Sequence, residues 1–221
     1  MSKIEYKIIV IFVLSGFVNH TNSTSLLMSS EEKKTLKLIL VGSGGVGKTS
    51  LVTKFYNQQF ESQTLPTVAP AFCVANIPLK DGVVVELQIW DTAGQEQYQS
   101  ICQMFYHDSN IAFVCFDLNT IDTVESWVSR VKSQVPSCLI FLVSTKIDLL
   151  TNDKLTQLKK DGKEMMEKYG AEAHYLTSSQ TGQGVSSLFM ETASYINKIE
   201  SYAKPEIQKL EGDEQKKSCC Q

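Results

Sequence analysis

The sequence is short of several things that would commit a chain to a class. It has no excess of positive charge: 21 Lys and Arg stand against 24 Asp and Glu, a formal net charge of −3. That composition argues against nucleic acid as a partner, because such surfaces neutralise phosphates with clustered basic residues. There are three histidines, and none of the six cysteines stands at metal-ligand spacing from them, so no zinc-type cluster is expected. No internal repeat is visible, and no apolar run reaches membrane-spanning length. Cys73, Cys115 and Cys138 fall in apolar, strand-like runs, where buried free thiols are ordinary, and a reduced compartment fits them.

The two ends differ from the middle. Lys3 and Lys7 precede the apolar stretch Ile8-Ile9-Val10-Ile11-Phe12-Val13-Leu14, which has the charged and apolar regions of a secretory leader. Asn19-His20-Thr21 and Asn22-Ser23-Thr24 would then be glycosylation acceptors. The alternative is that residues 1–33 are an extension outside the working protein, with Met28 able to start a chain just before the first strand. From residue 203 to 221 the chain is polar and of mixed charge, and it reads as a flexible tail. Residues 34–202 are left as one domain.

Within that domain, near-continuous apolar runs alternate with helical patterns. Leu36–Val41, Val83–Trp90, Ile111–Asp117, Cys138–Thr145 and Ala173–Thr177 read as strands buried on both faces of a mostly parallel sheet. Helices are expected over Thr49–Tyr56, Thr123–Val135, Lys154–Tyr169 and Gly184–Tyr202. Phe72–Leu79 adds an antiparallel edge strand, with Lys80-Asp81-Gly82 as its hairpin turn. The fold class is α/β: a doubly wound, six-stranded sheet with one antiparallel edge strand and helices on both faces.

The chemistry starts at Gly42-Ser43-Gly44-Gly45-Val46-Gly47-Lys48-Thr49, the pattern G-x-x-x-x-G-K-[ST] placed between a strand and a helix. Backbone N–H groups from this loop and from the helix start, to Ser50, can point at phosphates. Lys48 would reach the β- and γ-phosphates, and the Thr49 hydroxyl would ligate Mg²⁺. Trp90-Asp91-Thr92-Ala93-Gly94-Gln95-Glu96 puts a carboxylate at a strand end. Asp91 would hold Mg²⁺, Gly94 would offer its N–H to a γ-phosphate, and Gln95 would orient a water for in-line attack. Thr67, in the Pro-flanked loop Leu65–Pro70, would complete the Mg²⁺ shell. In Thr145-Lys146-Ile147-Asp148, the Asp148 carboxylate can accept from a guanine's N1–H and 2-amino group, a pair that adenine lacks. Lys146 would lay its stem along the base. Ser178, Ser179 and Gln180 could offer backbone N–H groups to the guanine oxygen.

In this order the motifs resemble the Ras superfamily of small GTPases, over roughly Lys34 to Tyr202. Gln88–Tyr98, the Trp127 helix and the ending Cys219-Cys220-Gln221 are most similar to the Rab family, in particular its endocytic branch. The resemblance implies GTP or GDP as ligand, Mg²⁺ as cofactor, and slow, partner-stimulated hydrolysis with Gln95 as the catalytic residue. It implies that Phe60 stacks on guanine, that Thr67 lies in the first switch, and that Gly94–Tyr106 form the second. It further implies a monomer that meets exchange factors, activating proteins, a GDP-dissociation inhibitor and effectors through the switches. Two geranylgeranyl chains on Cys219 and Cys220 would hold it to the cytoplasmic face of endomembranes, because two lipids anchor stably where one does not.

Three departures from the pattern stand out. Thr145 replaces the usual Asn, which ties the base loop to the phosphate loop; Ser178-Ser179-Gln180 replaces Ser-Ala-Lys; and Gln97 and Phe105–Asp108 alter the second switch. Thr145-Lys146 and Leu65-Pro66-Thr67-Val68 resemble the Rho family instead. However, the thirty or so residues between Asp148 and Ser178 leave little room for the helix Rho members insert there. The altered positions also leave open a nucleotide-binding scaffold that does not cycle.

Overall fold

The computed structural model describes residues 6–9, 34–58, 71–92 and 105–203. The six expected strands are present: β2 (Lys34–Val41), β3 (Ala71–Pro78), β4 (Val84–Asp91), β5 (Ile111–Phe116), β6 (Leu139–Ser144) and β7 (Ala173–Leu176). A seventh, β1 (Tyr6–Ile9), comes from the N-terminal extension. The sheet order is β1-β3-β4-β2-β5-β6-β7. β2, β4, β5, β6 and β7 run parallel, whereas β3 runs antiparallel to β4. β3 is therefore not the last strand on its side. β1 pairs antiparallel with it, Tyr6 opposite Ala75 and Ile9 opposite Phe72. Lys7, Ile8 and Ile9, which in the sequence read as the junction of the charged and apolar regions of a secretory leader, lie in this strand.

Burial follows the pattern each strand's position demands. β5 and β6 are buried at every residue, as strands covered on both faces must be. β3 and β4 alternate buried with half-buried residues, so one of their faces is less covered. Among the described residues, the longer helices are α1 (Lys48–Asn57), α2 (Val124–Gln134), α3 (Asn152–Tyr169), α4 (Val185–Ala193) and α5 (Ile196–Ala203). α1 and α4 pack on one face, where Phe189 stacks on Phe55 at 4.1 Å and meets Phe113 edge-on at 5.5 Å. α2 and α3 cover the other with Val124, Trp127, Val128, Val131 and Leu158. Each fully buried large apolar side chain contributes about 1.5–3 kcal/mol relative to exposure.

Two local features differ from the sequence pattern. The helix expected over Gly184–Tyr202 breaks into α4 and α5. Thr192 donates its hydroxyl to the Leu188 carbonyl (2.7 Å), and the N–H groups of Ser194 and Tyr195 turn to carbonyls three residues back. Both tighten and end the helix. Gly162, a poor helix former in mid-α3, is explained by packing. A β-carbon there would lie 1.8 Å from Nδ1 of His174 on β7. The glycine lets α3 approach that strand.

His174 is mostly buried, its Nε2 lies 2.8 Å from the Ser144 hydroxyl, and burial pushes its pKa down to about 4 from 6.5. Between these values the unfolded chain binds a proton that the folded chain refuses. His174 therefore costs no stability above pH 6.5 and its full penalty below pH 4, about 3 kcal/mol. Denaturant unfolding of the wild type and His174→Gln across pH 4–7 should show the wild type losing ground steadily as pH falls. A difference independent of pH would refute the assignment.

β1 gives a second expectation. In a chain lacking residues 1–33, β3 amides that face β1 should exchange with deuterium faster, while those facing β4 keep their protection. Uniform exchange across β3 in both chains would show that β1 does not shield it.

Candidate functional site

The parallel strands deliver their carboxyl ends to one edge of the sheet, and the predicted residues collect there. β2 ends at Val41, the loop 42–47 follows, and α1 begins at Lys48. Gly42 has φ of +140°, and a β-carbon on it would lie 2.1 Å from the carbonyl oxygen of Cys115 on β5. The loop can start where it does because that position has no side chain. Lys48 is buried, and its ammonium donates to the carbonyls of Gly42 (2.8 Å) and Ser43 (2.9 Å), so the loop curls around its own lysine. The Ser43 hydroxyl lies 3.1 Å from that of Thr123 and accepts from Trp127 Nε1 at 3.4 Å. This links the loop to the start of α2. Val46 is buried, Gly44 and Gly45 are exposed, and Ser50 is half-buried at the start of α1.

Asp91, the last residue of β4, stands across from the loop. The Thr49 hydroxyl donates to its Oδ2 at 2.6 Å. Burial pushes the Asp91 carboxyl up to about 6, against the opposing effects of the Thr49 hydrogen bond and the Lys48 charge. Its Oδ1 is buried without a hydrogen-bond partner among the described residues. A buried carboxylate oxygen with no donor, next to a hydroxyl, fits a hard divalent cation. No three His, Cys, Asp or Glu side chains come together among the described residues. Thr49 and Asp91 are thus the oxygen donors the described part of the protein would offer such an ion. Thr92, just beyond, donates its hydroxyl to the Leu40 carbonyl (2.6 Å) and ties β4 to β2.

The base-loop candidates lie at the ends of β6 and β7. The buried Thr145 hydroxyl reaches the carbonyls of Val46 (2.7 Å) and Phe116 (3.1 Å). A hydroxyl has one proton to give, so the shorter bond to Val46, in the phosphate loop, is the one it satisfies best. Lys146 adopts a left-handed conformation (φ +56°), and its ammonium lies 2.7 Å from Oδ2 of Asp117. Asp148 is exposed, and the buried Ser178 hydroxyl donates to its Oδ1 at 2.5 Å. Ser178 also accepts from the Thr181 N–H at 3.1 Å, so Asp148 is aimed by a fixed turn. Ser179 is half-buried and Gln180 exposed in that turn.

Phe60, Thr67, Gly94, Gln95, Cys219 and Cys220 lie outside the described residues. Asp117, Thr123 and the Trp127 indole N–H were not singled out as site residues from sequence. Asp117 could have been found: it is the first polar residue after the fully apolar strand β5. Cys73, Cys115 and Cys138 are buried free thiols as expected, with burial pushing their pKa values up to about 11, 12 and 12. They are packing residues.

A glycine loop curled around a buried lysine, facing a strand-end Asp bonded to the following Thr, defines a phosphate-binding-loop nucleotide protein. A sequence model of the Ras family matches residues 37–198, and the chain belongs to that family. It is a small GTPase of the Ras superfamily, which binds guanine nucleotide and hydrolyses GTP. It is similar to the GTP-binding protein ypt5 of Schizosaccharomyces pombe, 35% identical over 167 residues, 72% of this chain and 77% of that protein. It is also similar to the GTP-binding protein RHO1 of Saccharomyces cerevisiae, 34% over 200 residues, 83% and 93% of the two chains. Ras-related protein Rab-5B of Plasmodium falciparum is 33% identical over 168 residues, 73% and 77% of the two.

The contact at Gly42 gives a direct test. Gly42→Ala must move either the loop or the β5 carbonyl, at a cost on the order of 3 kcal/mol. It should abolish tight GDP binding, read by fluorescent-nucleotide titration, and lower the melting temperature without nucleotide. Unchanged binding would mean that the loop accommodates a side chain.

Proposed function

We propose that the chain is a Rab-like, membrane-anchored switch that cycles between GTP and GDP and regulates vesicle or endosomal traffic. The observation that carries the switch chemistry is the Thr49–Asp91 pair, with one buried oxygen of Asp91 unsatisfied beside the phosphate loop. In this reading Thr49 and Asp91, with Thr67, hold Mg²⁺, which would neutralise charge building on the phosphates. Backbone N–H groups from Gly42 to Ser50 grip the phosphates, Lys48 leaves its loop carbonyls for them, and Gln95 orients the attacking water. Asp148 and Lys146 read and flank the guanine, with Phe60 on its other side and the Ser178–Gln180 turn against its oxygen. Thr67 and Gly94 would sense the γ-phosphate, and hydrolysis would release their loops.

The partner-facing surface is supported by an aromatic group at the ends of those loops. Half-buried Trp90 lies 4.7 Å from Phe72 and 5.1 Å from Phe105. Phe72 follows the Thr67 loop and Phe105 follows the Gly94–Gln95 loop, so effectors, exchange factors and activating proteins docking here would feel both. A GDP-dissociation inhibitor would in addition cover the lipids on Cys219 and Cys220. The Rab reading draws support from the segment between Asp148 and Ser178, where α3 and β7 account for the regular structure and no second long helix intervenes. Among the described residues, no helix is long and apolar enough to cross a membrane; in this reading two lipids on Cys219 and Cys220 supply the anchor.

A Rho-like reading is favoured by one observation: the RHO1 match extends over 83% of this chain. Intact mass of the protein from its native membrane separates the two, since a Rab-like ending carries two geranylgeranyl groups. Catalysis is tested by single-turnover phosphate release. The wild type should hydrolyse GTP at least about tenfold faster than Gln95→Leu, with release dependent on Mg²⁺. Equal rates would remove Gln95 from the mechanism.

A further inference from the structure

We propose that Asp117 is a positioning residue for the guanine base, acting through Lys146. The inference rests on the reading that residues 145–148 receive the base. Asp117 directly follows β5 and is 8% exposed. Its Oδ2 accepts from the Lys146 ammonium at 2.7 Å. Its Oδ1 accepts from the Asn119 N–H at 3.0 Å and lies 3.1 Å from the Thr120 hydroxyl, which in turn accepts from the Asp117 N–H. The turn thus holds Oδ1 from two donors and leaves Oδ2 facing the lysine. Burial would raise its pKa, but the Lys146 hydrogen bond and charge, with Asn119 and Thr120, outweigh that and keep it below the ordinary carboxylate value.

Lys146 needs such a partner. Its backbone sits in a left-handed conformation uncommon for a residue with a long side chain. Its flexible stem has four rotatable carbons, and a stem that lies along a base must be held at its head or lose that entropy on binding. A charge-assisted bond to a buried, pre-ordered carboxylate fixes the head in advance.

The same strand end also anchors the residue before Lys146. The Phe116 carbonyl accepts the Thr145 N–H at 2.8 Å and lies within reach of its hydroxyl. β5 therefore holds the base loop through two consecutive residues, Phe116 and Asp117. This chain needs that hold because Thr145 has a single proton with which to join the loop to Val46.

The test is a double-mutant cycle in the full chain, read by dissociation of fluorescent GDP. Asp117→Asn should speed dissociation about tenfold. Lys146→Met should do at least as much. Combining them should be no faster than Lys146→Met alone, because Asp117 has nothing left to position. Should Asp117→Asn not fold, Thr120→Val takes its place: it loosens the carboxylate and should speed dissociation only when Lys146 is present. Wild-type dissociation from either single variant, or effects that multiply in the double variant, would overturn the inference. If ADP displaces GDP from the wild type as well as GDP itself does, the base assignment fails instead.

Discussion

The site depends on a constraint of parallel sheets: strands buried on both faces have no room for polar side chains except at their ends. β5 and β6 are apolar at almost every position and buried throughout. The register then decides which polar residues meet. Leu40 pairs with Asp91, Val41 with Val114, and Phe116 with Ser144. The residues one or two steps further on are Gly42, Thr92, Asp117 and Thr145, so all of them arrive on one edge. A one-residue slip in any of these pairs would separate Thr49 from Asp91 or Thr145 from Val46.

That edge is crowded, which explains its backbone. Gly42 passes close under the Cys115 carbonyl, where a β-carbon has no room. Within this confined space the loop satisfies its own groups: the Lys48 ammonium takes two loop carbonyls, and Thr145 reaches a third. The carboxylate left incompletely satisfied is Asp91. Its raised pKa and unpartnered oxygen describe one fact, that the fold has put a charge where the described residues supply too few donors. Such a residue costs stability in isolation.

Much of this was legible in the sequence, and the parts that were share a cause. The six core strands, their mostly parallel order and the places of Lys48, Thr49, Asp91 and Asp148 follow from apolar runs ended by polar residues, a signal carried within a few adjacent positions. What escaped depends on contacts between segments distant in sequence. Gly162 looks like a defect in α3 until His174 is seen against it. The break between α4 and α5 arises from Thr192 bonding back to Leu188, although the apolar periodicity runs on through it. β1 was unreadable as a strand because its short apolar stretch fits a leader equally well, and only pairing with β3 distinguishes them. Asp117 reads as the end of a strand, and its partner is 29 residues away.

Thr145 shows why such distant contacts matter to function. An Asn amide has two protons and could donate to two carbonyls at once, whereas the Thr hydroxyl has one proton for Val46 and Phe116. A buried neutral hydrogen bond contributes about 1 kcal/mol net, so with its proton on Val46 the hydroxyl forgoes a similar amount at Phe116. Phe116 is served regardless, since the Thr145 N–H already reaches it at 2.8 Å. The N–H therefore keeps residue 145 fixed to β5 while the hydroxyl proton is free for Val46. The loop that begins at Thr145 is thus joined to the sheet by a backbone bond and to the phosphate loop through one proton.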